Sequence, residues 1–170
     1  MKIYFAGDHA GFEMKQKLME FVRSLGHEVE DMGPTSYVPG DDYPDYVVPL
    51  AKRVAEANTT TPPRLKSGHP SSTEEGKQKV RGIVVAGSGQ GEMIAMNRIR
   101  GARAALFCPC NLALIKASRD HNDSNIFAIG ARFCTLEEAQ RGITVWLETP
   151  FSSEERHIRR LQKIEELTRH

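Results

Sequence analysis

Four short, nearly continuous apolar runs constrain this chain most: KIYFAG at 2–7, GIVVAG at 82–87, RAALF at 103–107 and NIFAIG at 125–130. Runs of that length suit strands covered on both faces, as in a parallel sheet. Longer segments with helical spacing lie between them. Met14, Leu18, Phe21, Val22 and Leu25 repeat along 13–25, and Val47, Leu50, Ala51 and Val54 point inward from a helix over 46–57. Gly26 stands where a helix C-cap belongs, and HEVEDMG then reads as a further strand ending near Gly33-Pro34, which completes a first βαβ unit. Pro49 is expected to confine the second helix to a first turn or to kink it. The chain closes with helices over 135–148 and about 153–168, with Thr135 and either Ser152 or Ser153 as N-caps.

Strict alternation of strand and helix predicts a doubly wound, Rossmann-like α/β fold. Five parallel strands form a single domain over residues 1–170, with the site at the C-terminal strand ends. Residues 58–79 break the pattern. They contain no aromatic residue and one Leu, too little apolar surface to offset chain entropy, so they read as a disordered surface insertion.

Composition removes several classes of function. Lys and Arg number 23 against 22 Asp and Glu, so no global field draws in nucleic acid or an anionic membrane, and any anion must be held locally. No apolar run approaches the roughly 18 to 20 residues that span a bilayer, and the N-terminus meets charge too early for a secretory signal. The three cysteines, Cys108, Cys110 and Cys134, suit free thiols in a reducing compartment, which points to the cytoplasm. One C-x-C with a distant third cysteine supplies no tetrahedral set, so buried thiols are expected, with no metal and no cofactor.

Polar residues gather beside these strands in three places: Asp8-His9 after the first, Gly87-Ser88-Gly89-Gln90-Gly91-Glu92 after the third, and Arg119-Asp120-His121-Asn122-Asp123 before the last. All three are expected to converge. A glycine-rich loop brings backbone N–H groups close to an anion. The spacing G-x-G-x-G is not the dinucleotide fingerprint, no acidic residue ends the next strand, and no Lys-Ser or Lys-Thr completes a Walker loop.

Glu92, in the first turn of the next helix, has two readings: a favourable charge–dipole placement, or a base that takes a proton next to a carbonyl while loop amides hold the enediolate oxygen. Asp8-His9 can be an Asp cap with a surface His, and His121-Asn122-Asp123 a turn. Arg156 and Arg160, four residues apart, share a helix face near His157 and Arg159; they form either a solvated basic face or a phosphate clamp that Arg132 can join.

Taken together, Gly7-Asp8-His9-Ala10-Gly11-Phe12, Asp42-Tyr43-Pro44, Gly87-Ser88-Gly89-Gln90-Gly91, Ile94-Ala95-Met96-Asn97 and His121-Asn122-Asp123-Ser124-Asn125 resemble the RpiB/LacAB family of sugar-phosphate isomerases, that of ribose-5-phosphate isomerase B. The resemblance covers nearly the whole chain except 58–79, where family members have a much shorter connection. It implies a homodimer or a tetramer with sites near the subunit interface, and metal-free interconversion of ribose 5-phosphate and ribulose 5-phosphate. Many members carry a cysteine base just before the glycine loop. That position here is Ala86, so the chain resembles the subgroup whose base is the Glu of G-S-G-x-G-E, Glu92.

By the same resemblance Ser88, Gly87, Gly89 and Gly91 stabilise the enediolate and His121 assists ring opening. Asp8 and Asn122 bind sugar hydroxyls, and Tyr43 lines the pocket. His9, Arg132, Arg156 and Arg160 hold the phosphate. Met96 and Arg98 depart from the family's usual Ala and Lys. A six-carbon 6-phosphate isomerase and a non-catalytic sugar-phosphate or nucleotide-binding module are the alternatives.

Overall fold

The computed structural model describes residues 1–58 and 80–168. Apart from Asn58, the expected insertion lies outside the described residues. Five strands, β1 (Lys2–Gly7), β2 (Glu28–Asp31), β3 (Val80–Ala86), β4 (Ala104–Leu106) and β5 (Ile126–Gly130), form one parallel sheet in the order β2-β1-β3-β5-β4. Six helices, α1 (Phe12–Ser24), α2 (Pro44–Asn58), α3 (Gln90–Met96), α4 (Leu112–Asp120), α5 (Leu136–Glu148) and α6 (Glu155–Leu167), complete the alternation. This is the doubly wound α/β architecture that the apolar runs predict.

The central strands β1, β3 and β5 are buried almost throughout because helices cover both faces. One core contains Phe5, Ile83, Phe127 and Trp146 beneath α1 and α5; the other contains Tyr4, Val84, Leu50 and Met96 beneath α2 and α3. Strand β4 is only half-buried, since it forms an edge and has one strand neighbour.

Several local expectations change. In α1 the covered residues are Lys15, Leu18, Met19 and Val22, while Leu25, at the C-cap, is exposed. Lys15 is tolerated in the core because its ammonium donates to Asp31 Oδ1 and to the Pro34 carbonyl, both at 2.7 Å. Helix α2 continues through Pro49 to Asn58 rather than ending there. Thr135 caps α5 through a reciprocal capping box with Glu138. Neither Ser152 nor Ser153 is the N-cap of α6; that position is Glu154, without a side-chain cap, and the Ser152 hydroxyl donates to the Asp120 carbonyl at 2.8 Å. Of the three free thiols, Cys110 is exposed and the other two are only half-buried, so the expectation of buried thiols is met by none of them.

At the end of α2, the Asn58 side-chain amide donates to the carbonyls of Val54 and Val80, at 2.8 and 2.9 Å. That single residue ties the last turn of α2 to the start of β3.

Candidate active site

Strands β1 and β3 lie side by side with Gly7 opposite Val85, so their following loops leave neighbouring strand ends. From the first, the Asp8 carboxylate accepts the main-chain N–H groups of Ala10 and Gly11 at 3.0 and 3.1 Å. That turn fixes the direction of the loop entering α1. From the second comes the glycine loop. Gly89 has φ +76°, a left-handed conformation costly for residues with a Cβ, and this kink starts α3 immediately afterwards.

Glu92 sits in the first turn of α3 and is buried. Burial is the main force pushing its carboxyl above the usual range; a backbone hydrogen bond opposes that shift, and the neighbouring Asp8 charge adds to it. A carboxylate with a raised pKa is a stronger base, as proton abstraction next to a carbonyl requires. The Ser88 side chain is exposed, with its Oγ 3.3 Å from the Gln90 amide.

Two other elements reach this loop. A side chain at Gly91 would stand 2.5 Å from the Tyr43 hydroxyl, so the absence of a Cβ lets the ring at the start of α2 close over the loop. After β5, Ala131 and Arg132 donate their main-chain N–H groups to the carbonyls of Ala86 and Gly87, at 2.8 and 3.2 Å. The Arg132 guanidinium carbon would then lie 3.6 Å from a Cβ at Gly87. A cleft of about 220 Å³ opens on the Ser88 side, lined by Gln90, Leu106, Phe107, Gly130 and Phe133. Asp8, His9, Tyr43, Gly87, Ser88, Gly89, Gly91, Glu92 and Arg132 are therefore brought to the C-terminal end of the sheet.

The expected convergence of all three polar groups fails. His121 and Asn122 follow α4 and precede β5, so in a parallel sheet they lie at the opposite, N-terminal edge, with α6 and its Arg156 and Arg160. The two ends are separated by the length of the strands. The signal was present in the sequence: this loop enters its strand, whereas the other two leave theirs.

The second cluster is well supported from beneath. His121 is exposed and its ring packs on His157, with centroids 4.5 Å apart; His157 is buried. Since Ser152 donates its hydroxyl proton to Asp120, the Nδ1–H of His157 must donate to Ser152 Oγ, at 2.8 Å. Asp123, at φ 43°, is gripped by Arg119 and Arg103, whose nitrogens lie 2.8 and 2.7 Å from its two oxygens. Ser124 accepts the Trp146 indole N–H at 2.8 Å, and Asn125 accepts the Arg103 amide. The first two residues of His121-Asn122-Asp123-Ser124-Asn125 are thus exposed, and the last three build the support. Arg156 pairs with Glu154 at 2.7 Å and is exposed, as is Arg160.

Sequence reasoning missed Asp41, whose carboxylate lies 2.7 Å from His9 Nδ1. Its segment follows β2 into the C-terminal end of the sheet, a usable signal, but two adjacent aspartates in a turn look alike in sequence. Among the described residues, no three His, Cys, Asp or Glu side chains are grouped to hold a metal ion. Burial pushes the Cys134 thiol up to about 11, which keeps it protonated beside the cleft.

A doubly wound parallel sheet with a buried carboxylate beside a glycine loop at its C-terminal end defines an α/β ligand site of the topological-switch kind. The sequence matches the model of the Ribose/Galactose Isomerase family over residues 3–61 and 71–164. The chain belongs to that family. It is 35% identical over 169 residues to ribose-5-phosphate isomerase B of Mycobacterium tuberculosis, spanning 99% of this chain and 91% of that protein. The solved ribose-5-phosphate isomerase B of Clostridium thermocellum superposes with a TM-score of 0.80 at 34% identity, over 98% of this chain and 97% of that one. The Mycoplasma genitalium enzyme, solved with bound ribulose-5-phosphate, gives 0.81 at 27% identity, over 98% and 95% of the two chains.

Proposed function

We propose that this protein is an aldose–ketose isomerase that interconverts ribose 5-phosphate and ribulose 5-phosphate, with Glu92 as the base. The observation that carries the reading is a buried Glu92 carboxyl, raised above its ordinary pKa and seated beside a loop of backbone donors. In the open-chain aldehyde, Glu92 takes the proton from C2 and the electron pair moves through C1 onto the carbonyl oxygen, giving the enediolate. Loop amides around Gly87, Gly89 and Gly91, with the Ser88 hydroxyl, stabilise that charge. Glu92 returns the proton to C1 as the O2 proton passes to O1, leaving the ketose. Asp8 orients sugar hydroxyls and Tyr43 walls the pocket.

His121, Asn122, Arg156 and Arg160 serve this reaction from a second copy of the chain. In a homodimer, the N-terminal edge of one subunit meets the glycine loop of the other. The partner's His121 then assists ring opening, while the partner's Arg156 and Arg160 join His9 and Arg132 on the phosphate. Two observations support this. These side chains are exposed on a stiff foundation in one chain, and large apolar residues Ile94, Leu114 and Phe133 are exposed, on α3, on α4 and just after β5.

The deciding measurement is ribulose 5-phosphate formation from ribose 5-phosphate in chelator-treated buffer, wild type beside Glu92→Gln. Turnover in the wild type and its loss in the variant are expected; equal turnover in both would sink the assignment of the base. Comparing kcat/KM on allose 6-phosphate and galactose 6-phosphate tests the five-carbon preference.

A further inference from the structure

The segment leaving β2 crosses in front of the first loop, and Asp41 turns back from it to hold His9 twice. Its Oδ1 accepts the His9 main-chain N–H at 3.0 Å and lies 2.7 Å from the ring Nδ1. The Asp41 side chain is 3% exposed and the imidazole 31%. The other oxygen, Oδ2, is buried and is the one buried side-chain nitrogen or oxygen without a hydrogen-bond partner among the described residues. Keeping a carboxylate out of water with one oxygen unused is costly. A loop staple needs no such charge, because an Asn carbonyl or a Ser hydroxyl would accept the same main-chain N–H.

The geometry points to a different use. An acceptor-only carboxylate at Nδ1 requires that this nitrogen carry a proton, which fixes the tautomer and leaves Nε2 as the free end of the ring. Tyr37 stands edge-on to the imidazole at 6.4 Å and to Phe12 at 6.3 Å, flanking the ring from another side. We propose that Asp41 is a positioning residue that holds His9 with Nδ1–H engaged, so that Nε2 addresses the substrate phosphate. For Nε2 to donate to a phosphate oxygen the ring carries both protons. The buried Asp41 charge and the bound anion then sit at opposite ends of one imidazolium. The proposal rests on the reading of His9 as a phosphate contact.

The test uses Asp41→Asn, which keeps size and can still accept the main-chain N–H but loses the charge. KM for ribose 5-phosphate is expected to rise about tenfold with kcat within about twofold, and the inhibition constant of inorganic phosphate to rise by the same factor. In a His9→Ala background the substitution should add nothing further, since the pair acts through one contact. A lower Tm with unchanged KM and phosphate inhibition would reduce Asp41 to a staple and overturn the proposal, as would additive effects in the double variant. If His9→Ala weakens phosphate inhibition and Asp41→Asn does not, the positioning role falls alone. If His9→Ala has no effect either, the phosphate reading of His9 falls with it. Long-range proton–nitrogen NMR of the wild type gives an independent readout. A proton on His9 Nδ1 is expected, and an Nε2–H tautomer with a bare Nδ1 overturns the proposal.

Discussion

The two ends of the sheet are built on opposite plans. At the C-terminal end the Glu92 carboxyl is buried beside a left-handed glycine, and the loop is held by the Ala86 and Gly87 carbonyls accepting the main-chain N–H groups of Ala131 and Arg132. At the N-terminal edge the chemistry-bearing groups stand exposed, and rigidity comes from below: His157 and Ser152 under His121, and Arg119 and Arg103 around Asp123. The first plan shifts a pKa, because burial acts on the reacting group itself. The second presents side chains outward at fixed positions, which is what the proposed completion of a partner's site requires.

The largest expected effect is at the buried end. Glu92→Gln should lower kcat by about 10³-fold, within the usual range for losing a positioned base, while circular dichroism shows an unchanged fold. His121→Ala should cost on the order of 10²-fold. Mixing the two inactive variants after reversible dissociation sharpens the contrast between the two ends. If each site draws Glu92 from one subunit and His121 from the other, random pairing restores about a quarter of wild-type sites; no recovery would place both groups in one chain's site. Arg156→Ala and Arg160→Ala should each raise KM about tenfold with smaller changes in kcat, since a remote phosphate anchor supplies binding energy. Unchanged KM in both would leave them as a solvated face.

A smaller effect follows from the raised carboxyl of Glu92. The acid limb of the kcat/KM profile should fall at a pH above the ordinary carboxylate range, because the base must be ionised. The same shift bears on stability. The folded protein holds this proton more tightly than the unfolded chain does. Burial therefore costs nothing below the unfolded pKa and weighs against the fold as pH rises through the folded one. Glu92→Gln should accordingly melt a few degrees higher than the wild type at neutral pH, with the gap closing in acid; a gap that persists at low pH would detach the stability effect from ionisation.

Much of the fold could be read directly. Strands β1, β3 and β5 are continuous apolar runs because both their faces are covered, and the sequence carries that fact without knowledge of neighbours. What stayed hidden depended on partners brought from far along the chain. Lys15 and Arg119 are buried charges made tolerable by Asp31, Pro34, Asp123 and Ser124, and no local pattern announces them. Arg81 is held down to about 10, chiefly by burial and then by the Arg119 charge, while it caps the carbonyls of Trp146 and Leu147. In the site, Glu92 and the glycine loop were legible because they are contiguous. Asp41 was not, since its meaning lies in a contact with His9 across 32 positions.

The clip made by Asn58 has a consequence for how this chain can vary. Because one amide joins the carbonyls of Val54 and Val80, the exit from α2 and the entry to β3 are spaced by a local bond. The residues between them need not act as a ruler. Their number can grow or shrink at little cost beyond loop closure, which rises only slowly with length. A peptide spliced in at this junction should therefore leave the register of β3 against β1 unchanged.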